Sequence, residues 1–598
     1  MPSTFFGLNI GSTGLYAYKT ALNVTAHNIA NAEKEGYSRQ VLDYKASRAL
    51  KVSSSYGMVG TGINVGGVSQ IRNEYYDTKY WRNATVRGEY TAKADYMKQI
   101  EAYFNEVKME GFTTTFNSMF DSIHDLAKDP SNLTTRTQLT NFALSFTEYF
   151  NFLSNSMNSI QEQCNFEVQN QVEKINSLST QIAHLNKQIN TIESNGFKAN
   201  DLRDERAMLV DELSEIADVS VKENIIGDGI GINNYIVKIN NQMLVDGVDY
   251  NTLKLIPRQE KSNQNDIDGL FDIAWDNGNE FNPISTINSG TLKALFEVRD
   301  GNDRGNLQGR ITASAGDTQI TMIETNINSV ASINIPERGL VTIGNTQYKY
   351  NGFTATKDGD NLRYTFNLEP GETVKADLDN RQSEIGQSIN YKGIPYYMGQ
   401  LNQFIRTFAS KFNDIHKSGK DLNGDDGMEF FNGLDKVKGI NYQLGDIESD
   451  INAEAGEEKT SYYFITAANL TLTKEIIENP RLVVTTADIA NGIEANDITS
   501  ELLRLRADKG MFKQGDPASF LQTLVAEVGI DARKADNFAK GQDNILRSIS
   551  NQRLSVSGVD VDEETINLVR FQNAYNLSAK VISIMDEIYD KLINYMGV

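Results

Sequence analysis

The chain has 598 residues, and its 57 Lys+Arg against 79 Asp+Glu give a formal net charge of −22. Its length implies several domains, and 39% hydrophobic residues supply enough apolar surface for packed cores. An acidic surface of this size repels phosphate backbones, and no local basic patch offsets it, so no nucleic-acid partner is expected; the single cysteine, Cys164, excludes an intramolecular disulfide and a Cys-based zinc site.

The amino terminus, MPSTFFGLNIGSTG, lacks the basic residues and apolar core of a cleavable secretion signal. No run of about 18 or more apolar residues occurs anywhere, so no membrane insertion is expected. Leu8, Leu15, Leu22 and Ile29 recur every seven residues beside the small residues Gly7, Gly14 and Ala21. This spacing predicts a helix over 8–30 that approaches a partner helix closely. It should stop in the stretch Asn28–Gly36, where Asn31 and Gly36 supply turn chemistry. Gly57–Gly67 is rich in glycine but has no Walker lysine and no following helix, and it reads as an extended, turn-rich segment.

From about Lys93 to Asp218 the pattern is that of long amphipathic helices. Ile175, Leu178, Ile182, Leu185, Ile189 and Ile192 keep three-four spacing until Asn195-Gly196 breaks the run, and a second helix follows through Leu202, Leu209 and Leu213. Near Val219 the period changes to alternation, and Gly227–Gly231 and Asp246-Gly247 read as hairpin turns. Helical pattern returns at Thr291–Arg299 and at Tyr396–Ile415. Between them, 301–390 carries turn signals such as Gly344-Asn345 and short strands, as expected of an inserted β domain. A smaller β-rich insertion spans 432–475, and helices resume from Asp497.

The carboxyl end carries the densest pattern. Leu568, Phe571, Tyr575, Ser578, Ile582, Met585, Tyr589, Leu592 and Met596 hold a strict three-four spacing, and Ala574, Leu577, Val581, Ile584 and Ile588 run beside them. One seam serves a single partner helix, whereas two adjacent seams make a face that reaches several. Periodicity alone leaves open whether that face docks on the chain's own body or on other subunits.

The expected fold class is multidomain α+β: terminal coiled-coil-like helices, a helical middle domain with β-hairpins, and inserted β-rich outer domains. The expected divisions are 1–62 with 555–598 for the terminal helical assembly domain, and 63–300 with 391–431 and 476–554 for the middle domain. The outer insertions are 301–390 and 432–475.

Catalytic chemistry finds little footing. His27, His124, His184 and His416 form no two-histidine metal spacing, and Cys164 reads as a packing or surface residue. Asp421–Gly427 resembles the first half of a calcium loop. However, Asp426 stands where the turn glycine belongs and Asn432 where the bidentate Glu belongs, so a solvated turn is expected. Asp562-Glu563-Glu564 reads as favourable charge at a helix amino terminus. No catalytic residues, cofactor or metal are expected.

The segment ALNVTAHNIANAEKEGYSRQ, Ala21–Gln40, resembles the amino-terminal signature of the bacterial flagellar rod, hook and hook-associated axial proteins: Asn28-Ile29-Ala30-Asn31 ends the helix and Gly36-Tyr37 makes the turn. The carboxyl segment Ser557–Asn594 resembles the same family, and Ser38-Arg39-Gln40 and Arg570-Phe571-Gln572 favour its hook-associated branch over hook or rod protein. Weaker likeness runs through Gly60-Thr61-Gly62-Ile63, Arg72, Asp77, Gly290–Asp300 and Asp421–Phe431. Lys34-Glu35 depart from the Thr-Pro often found before the Gly-Tyr pair, and 301–390 lies where shorter members run straight on.

The resemblance implies a structural subunit at the junction between flagellar hook and filament, exported without a cleaved signal through the flagellar type III apparatus. It implies a ring of copies of itself, contacts with hook protein and with a second junction protein (hook-associated protein 3), and an export chaperone on the C-terminal helix. Assembly would run through Leu8, Leu15, Leu22, Asn28, Ile29, Asn31, Gly36 and Tyr37 at one end. At the other it would use Leu568, Phe571, Tyr575, Ile582, Met585, Tyr589, Leu592 and Met596. A secreted adhesin displaying 301–390 is the reading from another class.

Overall fold

Heptad spacing at both ends produces the two helices that frame the chain. A computed structural model describes residues 5–53, 57–104, 111–226, 232–285, 288–359, 361–447, 449–454, 456–492 and 494–595. Helix α1 (Phe6–Ala30) leads into a two-stranded arm, with β1 (Gln40–Ala46), β2 (Leu50–Ser53), β3 (Gly57–Val59) and β4 (Ile63–Gln70) pairing antiparallel as β1–β4 and β2–β3. Four helices follow: α2 (Glu74–Phe104), α3 (Phe112–Lys128), α4 (Leu133–Glu193) and α5 (Asn200–Ile216). Alternating residues then form an antiparallel sheet of β5 (Val219–Ile226), β6 (Ile232–Ile239), β7 (Gln242–Asp246) and β8 (Asp249–Tyr250), beside the pair β9 (Leu253–Pro257) and β10 (Phe271–Trp275). The glycine-rich turn read at 227–231 lies outside the described residues.

Helix α4 organises the middle of the molecule. Asn132 caps it by accepting from Thr134 N–H at 2.8 Å. At 61 residues it extends for roughly 90 Å and crosses two cores. Its first half buries Leu139, Phe146, Phe150 and Met157 in an aromatic-rich core with α2 and α3. Its second half buries Val168, Val172, Ile175, Leu178 and Ile182 against α5 and the β5–β8 sheet. Cys164 sits near the boundary, fully buried on the first core, and burial pushes its thiol pKa up, so it packs as an apolar residue.

After α6 (Thr291–Asp300) the insertion forms β11 (Leu307–Thr312), β12 (Gln319–Ile323), β13 (Arg338–Ile343), β14 (Thr346–Asp358), β15 (Asn361–Leu368) and β16 (Arg381–Ile385). The order is β13-β16-β11-β12-β15-β14, and a further β13–β14 pairing closes the sheet into a barrel. Closure leaves no long open edge on this exposed domain. Its interior is filled by Tyr348, Tyr350, Phe353, Tyr364 and Phe366.

The chain returns through α7 (Ile394–Lys417), then β17 (Phe431–Asp435), β18 (Ile440–Asn441), β19 (Ile451–Asn452), β20 (Leu470–Leu472) and α8 (Lys474–Glu478), and finally α9 (Asp497–Leu505), α10 (Pro517–Ser557) and α11 (Val561–Tyr595). The segment 432–475, read from the sequence as a small outer insertion, divides between two cores. Its β19 extends the barrel sheet from β14, and Tyr463 and Phe464 pack on the barrel interior. Leu470 and Leu472 instead join the aromatic helical core. Alternation predicts strands but not which sheet receives them. The fold is multidomain α+β, with α10 returning along α2 to bring both ends of the chain together.

Candidate functional site

Helices α1 and α11 lie antiparallel along each other. A Cβ placed on Gly7 would meet Met585, one on Gly11 would lie 2.8 Å from Ile582 Cγ1, and one on Gly14 would lie 2.9 Å from Ser578 Oγ. Farther along, Tyr18 stacks on Phe571 with ring centroids 6.4 Å apart, and Phe5 meets Tyr589 at 5.2 Å. The α1 residues that meet α11, Gly7, Gly11, Gly14, Tyr18 and Asn28, together with the buried Ala21 and Thr25, alternate four and three apart. This is the heptad seam. The predicted Leu8, Leu15, Leu22 and Ile29 flank it one position on and are only half-buried. Small residues let the helix axes approach, so the line of contact runs through them and the leucines are turned aside. The clue was present as the same four-three spacing in small residues, which a search for large apolar side chains passes over.

On α11 the predicted first seam faces α1: Leu568, Phe571, Tyr575, Ser578, Ile582, Met585 and Tyr589 are all half-buried. Leu592 lies one turn beyond the Phe5–Tyr589 contact and is exposed. Met596 lies outside the described residues. The second seam is open: Leu577 is 68% exposed, and Val581, Ile584 and Ile588 are exposed beside it.

Below this pair lies a polar joint centred on Asn28, which is buried at the end of α1. Its Oδ1 accepts from Tyr37 Oη at 2.8 Å and from Gln40 N–H at 3.0 Å; its Nδ2 donates to Gln40 O at 2.9 Å and to Glu564 Oε2 at 3.2 Å. Both acceptor lone pairs and both N–H donors of the amide are thereby used. Burial and the carboxylates of Asp201, Asp204 and Glu564 push the Tyr37 hydroxyl well above its ordinary pKa, keeping it a donor. Asn31 closes the helix by donating to His27 O at 2.9 Å. Gly36, at φ 75°, makes the following turn, and a Cβ there would also strike Met208.

Arg39 ties the joint to α11. Its Nε donates to Glu564 Oε1 at 2.8 Å, its two Nη atoms reach Glu563, and its backbone N–H donates to Ser557 O at 2.8 Å. Burial works against the Arg39 charge, but the two glutamates outweigh it and raise its pKa. The acidic run at the start of α11 is therefore more than helix-end charge. Asp560 supplies the cap, accepting from Asp562 N–H and Glu563 N–H, while Glu564 is a buried counterion. Spacing along one helix could not reveal a partner so far away in sequence.

The network continues into the body. Ser38 donates from N–H and Oγ to Asp204 at 2.8 and 2.7 Å. Arg72 bridges Asp204 and Asp77, and Arg553 on α10 bridges Asp77 and Asp211, which also accepts from Trp81 Nε1 at 2.7 Å. Asp204, Asp211 and Arg553 carried no signal in the sequence reading, because each acquires its role only from groups on other elements.

The model of the flagellar hook-associated protein FlgK helical domain matches residues 97–316 and 311–431, more than half of the chain. The chain belongs to the FlgK family of flagellar hook-associated proteins. A second model, for the C-terminal region of flagellar basal body rod FlgEFG proteins, matches residues 550–595, which are the end of α10 and α11. Among FlgK-family relatives, flagellar hook-associated protein 1 of Bacillus subtilis strain 168 is 25% identical over 610 residues, covering 100% of this chain and 99% of its own length. Flagellar hook-associated protein 1 of Salmonella typhimurium strain LT2 is 25% identical over 598 residues, covering 98% and 99%. A solved structure, the flagellar hook junction protein FlgK from Burkholderia pseudomallei, is similar at 13% identity and a TM-score of 0.44, covering 80% of this chain and 100% of that one.

Elsewhere in this FlgK-family chain, the calcium-like run is a self-tied turn. Asp421 is buried and spends Oδ1 on the N–H groups of Asn423 and Asp425 at 2.8 and 3.0 Å, while Asp426 pairs with Lys420. Among the described residues, no group of three or more His, Cys, Asp or Glu could hold a metal ion, and no helix is long and apolar enough to cross a membrane.

Proposed function

We propose that this hook-associated protein is the structural subunit that joins flagellar hook to filament, and that it assembles through α1 and α11 in a mechanical, non-catalytic role. The observation that carries the reading is the division of labour on α11. One apolar seam is taken by α1 of the same chain, and the parallel row Leu577, Val581, Ile584 and Ile588 stays exposed. Each such side chain gains roughly 1.5–3 kcal/mol when fully buried, so the row is stabilised by helices of neighbouring subunits. The printed name of the relatives, flagellar hook-associated protein 1, agrees with that position.

The partners on this reading are copies of the same chain in a ring, hook protein on one side and a second junction protein on the other. Before assembly the open row needs cover, which an export chaperone on α11 provides. Passage through the flagellar type III apparatus then delivers the chain to the outside of the cell. Replacing Leu577 and Ile584 with Asp tests the idea. These substitutions leave the α1 contacts in place, so the monomer should keep its helicity while filament attachment is lost. Normal filaments on cells carrying the double variant would overturn it.

A further inference from the structure

Where α10 packs along α2, a groove of about 480 Å³ opens to solvent between Glu101 of α2 and the α10 residues 526–538. Its apolar part is Ile530 and Phe538, 65% and 45% exposed. Cations elsewhere on this stretch are paired: Lys98 and Lys540 with Asp536, and Arg547 with Asp543. Arg533 and Lys534, which line the groove, are exposed and have no carboxylate partner among the described residues. On a chain of net charge −22, two adjacent unpaired cations beside bare apolar side chains mark a local exception.

The tip of the β7–β8 hairpin has the complementary character. Asp246 and Asp249 stand directly opposite each other across the ladder, both exposed, with no cation paired to either among the described residues. Like charges so placed destabilise a strand pair. The tip is nevertheless held in one shape. Gly247 N–H donates to Tyr235 O at 3.1 Å, Gly247 O accepts from Asn186 Nδ2 at 2.6 Å, and Asp246 Oδ1 accepts from Asn234 Nδ2 at 2.8 Å. Val248 forms the apex and is 51% exposed. A knob fixed in advance loses little freedom when it docks.

We propose that the hairpin tip of one copy seats in the α10 groove of the next. Val248 then lies on Ile530 and Phe538, and the two aspartates face Arg533 and Lys534. The inference rests on the reading that copies of this chain meet one another, and it adds a contact between their bodies to the one between their end helices. A chain cannot fill its own groove. Tyr96 meets Cys164 and Tyr103 meets Phe152, so the Glu101 end of α2 lies level with the first half of α4. Asn186 holds the hairpin roughly 30–50 Å farther along the same helix. A contact between two different patches repeats from copy to copy and closes into a ring where the rotation allows. Because the chain carries both halves, a second copy is the occupant that the charges select.

Disulfide trapping on the full chain tests this, since the native Cys164 is fully buried and stays silent. A Val248→Cys chain is mixed with a size-tagged Ile530→Cys chain under mild oxidant, and the mixed dimer is read on a gel. Both positions are exposed, so neither variant disturbs the fold. The dimer should form, and its yield should drop roughly tenfold when the Ile530→Cys chain also carries Arg533→Glu and Lys534→Glu. Adding Asp246→Lys and Asp249→Lys to the other chain should restore it. Val437→Cys, on the 96% exposed residue between β17 and β18, serves as the control in place of Val248→Cys. No mixed dimer above that control, or a yield that ignores the charge reversal, would overturn the proposal. The trap needs neither hook nor filament, so Leu577→Asp with Ile584→Asp should leave it unchanged. A missing crosslink therefore removes this contact and leaves the end-helix reading standing, whereas normal filaments in that double variant remove the end-helix reading alone.

Discussion

Asn28 and Glu564 stand 536 positions apart in the chain, and the Asn28 amide donates to Glu564 Oε2 across 3.2 Å. The same glutamate receives Arg39 on its other oxygen, so one buried carboxylate fastens the end of α1, the turn after it and the start of α11. The terminal helices are held at their base by hydrogen bonds and along their length by a seam of small residues. The two devices predict different mutant behaviour.

Asn28→Ala strands the Tyr37 hydroxyl, the Gln40 N–H and one oxygen of Glu564 in a buried site. A loss of about 2–4 kcal/mol in the stability of the α1–α11 pair is expected. Hydrogen exchange should show protection falling in α1 and α11 while α3 and the first half of α4 keep theirs. Asn28→Asp should be worse, because it places a second carboxylate against Glu564. Equal protection in the wild type and both variants would remove Asn28 from this role.

Substitutions at the seam glycines should differ according to what each new side chain meets. At Gly7 the obstacle is the flexible end of Met585, so Gly7→Ala should be tolerated, with a gain in helix propensity near 1 kcal/mol offsetting the contact. At Gly11 the obstacle is the β-branched Ile582, with its backbone N–H and Ser578 O close behind. Gly11→Val should therefore cost about 1–3 kcal/mol by forcing the helices apart. Thermal melts followed by circular dichroism at 222 nm would rank the two; a Gly11→Val protein as stable as Gly7→Ala would refute the packing account.

His416 should make the helical body acid-sensitive. Its ring is fully buried: Nε2 accepts from Val484 N–H at 3.0 Å, and Nδ1 faces Met428 O at 2.7 Å, an arrangement that requires a neutral imidazole. Burial lowers its pKa from 6.5 to about 4, with the Arg136 charge adding to the effect and the Met428 hydrogen bond opposing it. The unfolded chain binds the proton first, so stability is complete above about pH 6.5 and falls as the pH drops toward 4. The full contribution is about 3 kcal/mol. Urea midpoints measured between pH 7 and 4 should fall in the wild type and fall less steeply in His416→Gln.

Arg406 fixes the barrel to the helical body. From α7 it donates to Ile465 O, Ala331 O, Ile333 O, Tyr463 O and Gln264 Oε1, at distances of 2.6–3.3 Å, with no carboxylate among these partners. Burial lowers its pKa to about 10, and hydrogen bonds to carbonyl oxygens supply the stabilisation that a counterion would otherwise give. Arg406→Met should cost about 3–5 kcal/mol. The loss should appear as faster exchange at 330–335 and 463–465, and Arg406→Lys should restore only part of it. Unchanged exchange in the methionine variant would show that the barrel is held by other contacts.

Much of the architecture was legible in the amino-acid order. Period-3.6 runs marked α4 and α11, Asn195-Gly196 marked the break between α4 and α5, and alternation marked the strands from Val219 onward. The limits were equally particular. Closure of the barrel depends on β13 pairing with β14 as well as with β16, and no local pattern specifies a pairing. The division of 432–475 between two cores depends on where α7 directs the returning chain.

At the ends, the sequence by itself determined that two helices carry apolar heptads and that Asn28, Gly36 and Tyr37 form a turn of a kind shared with flagellar axial proteins. Those properties are local: side-chain spacing on a helix, and a backbone angle that glycine accepts. Only the tertiary structure decided that the closest contact runs through Gly7, Gly11 and Gly14, with the leucines beside it. It also decided that α1 satisfies just one of the two seams of α11, and that Glu564 serves as counterion to Arg39. The reason is physical: how closely two helices pack, and which charge faces which, are set by atoms brought together from opposite ends of the chain.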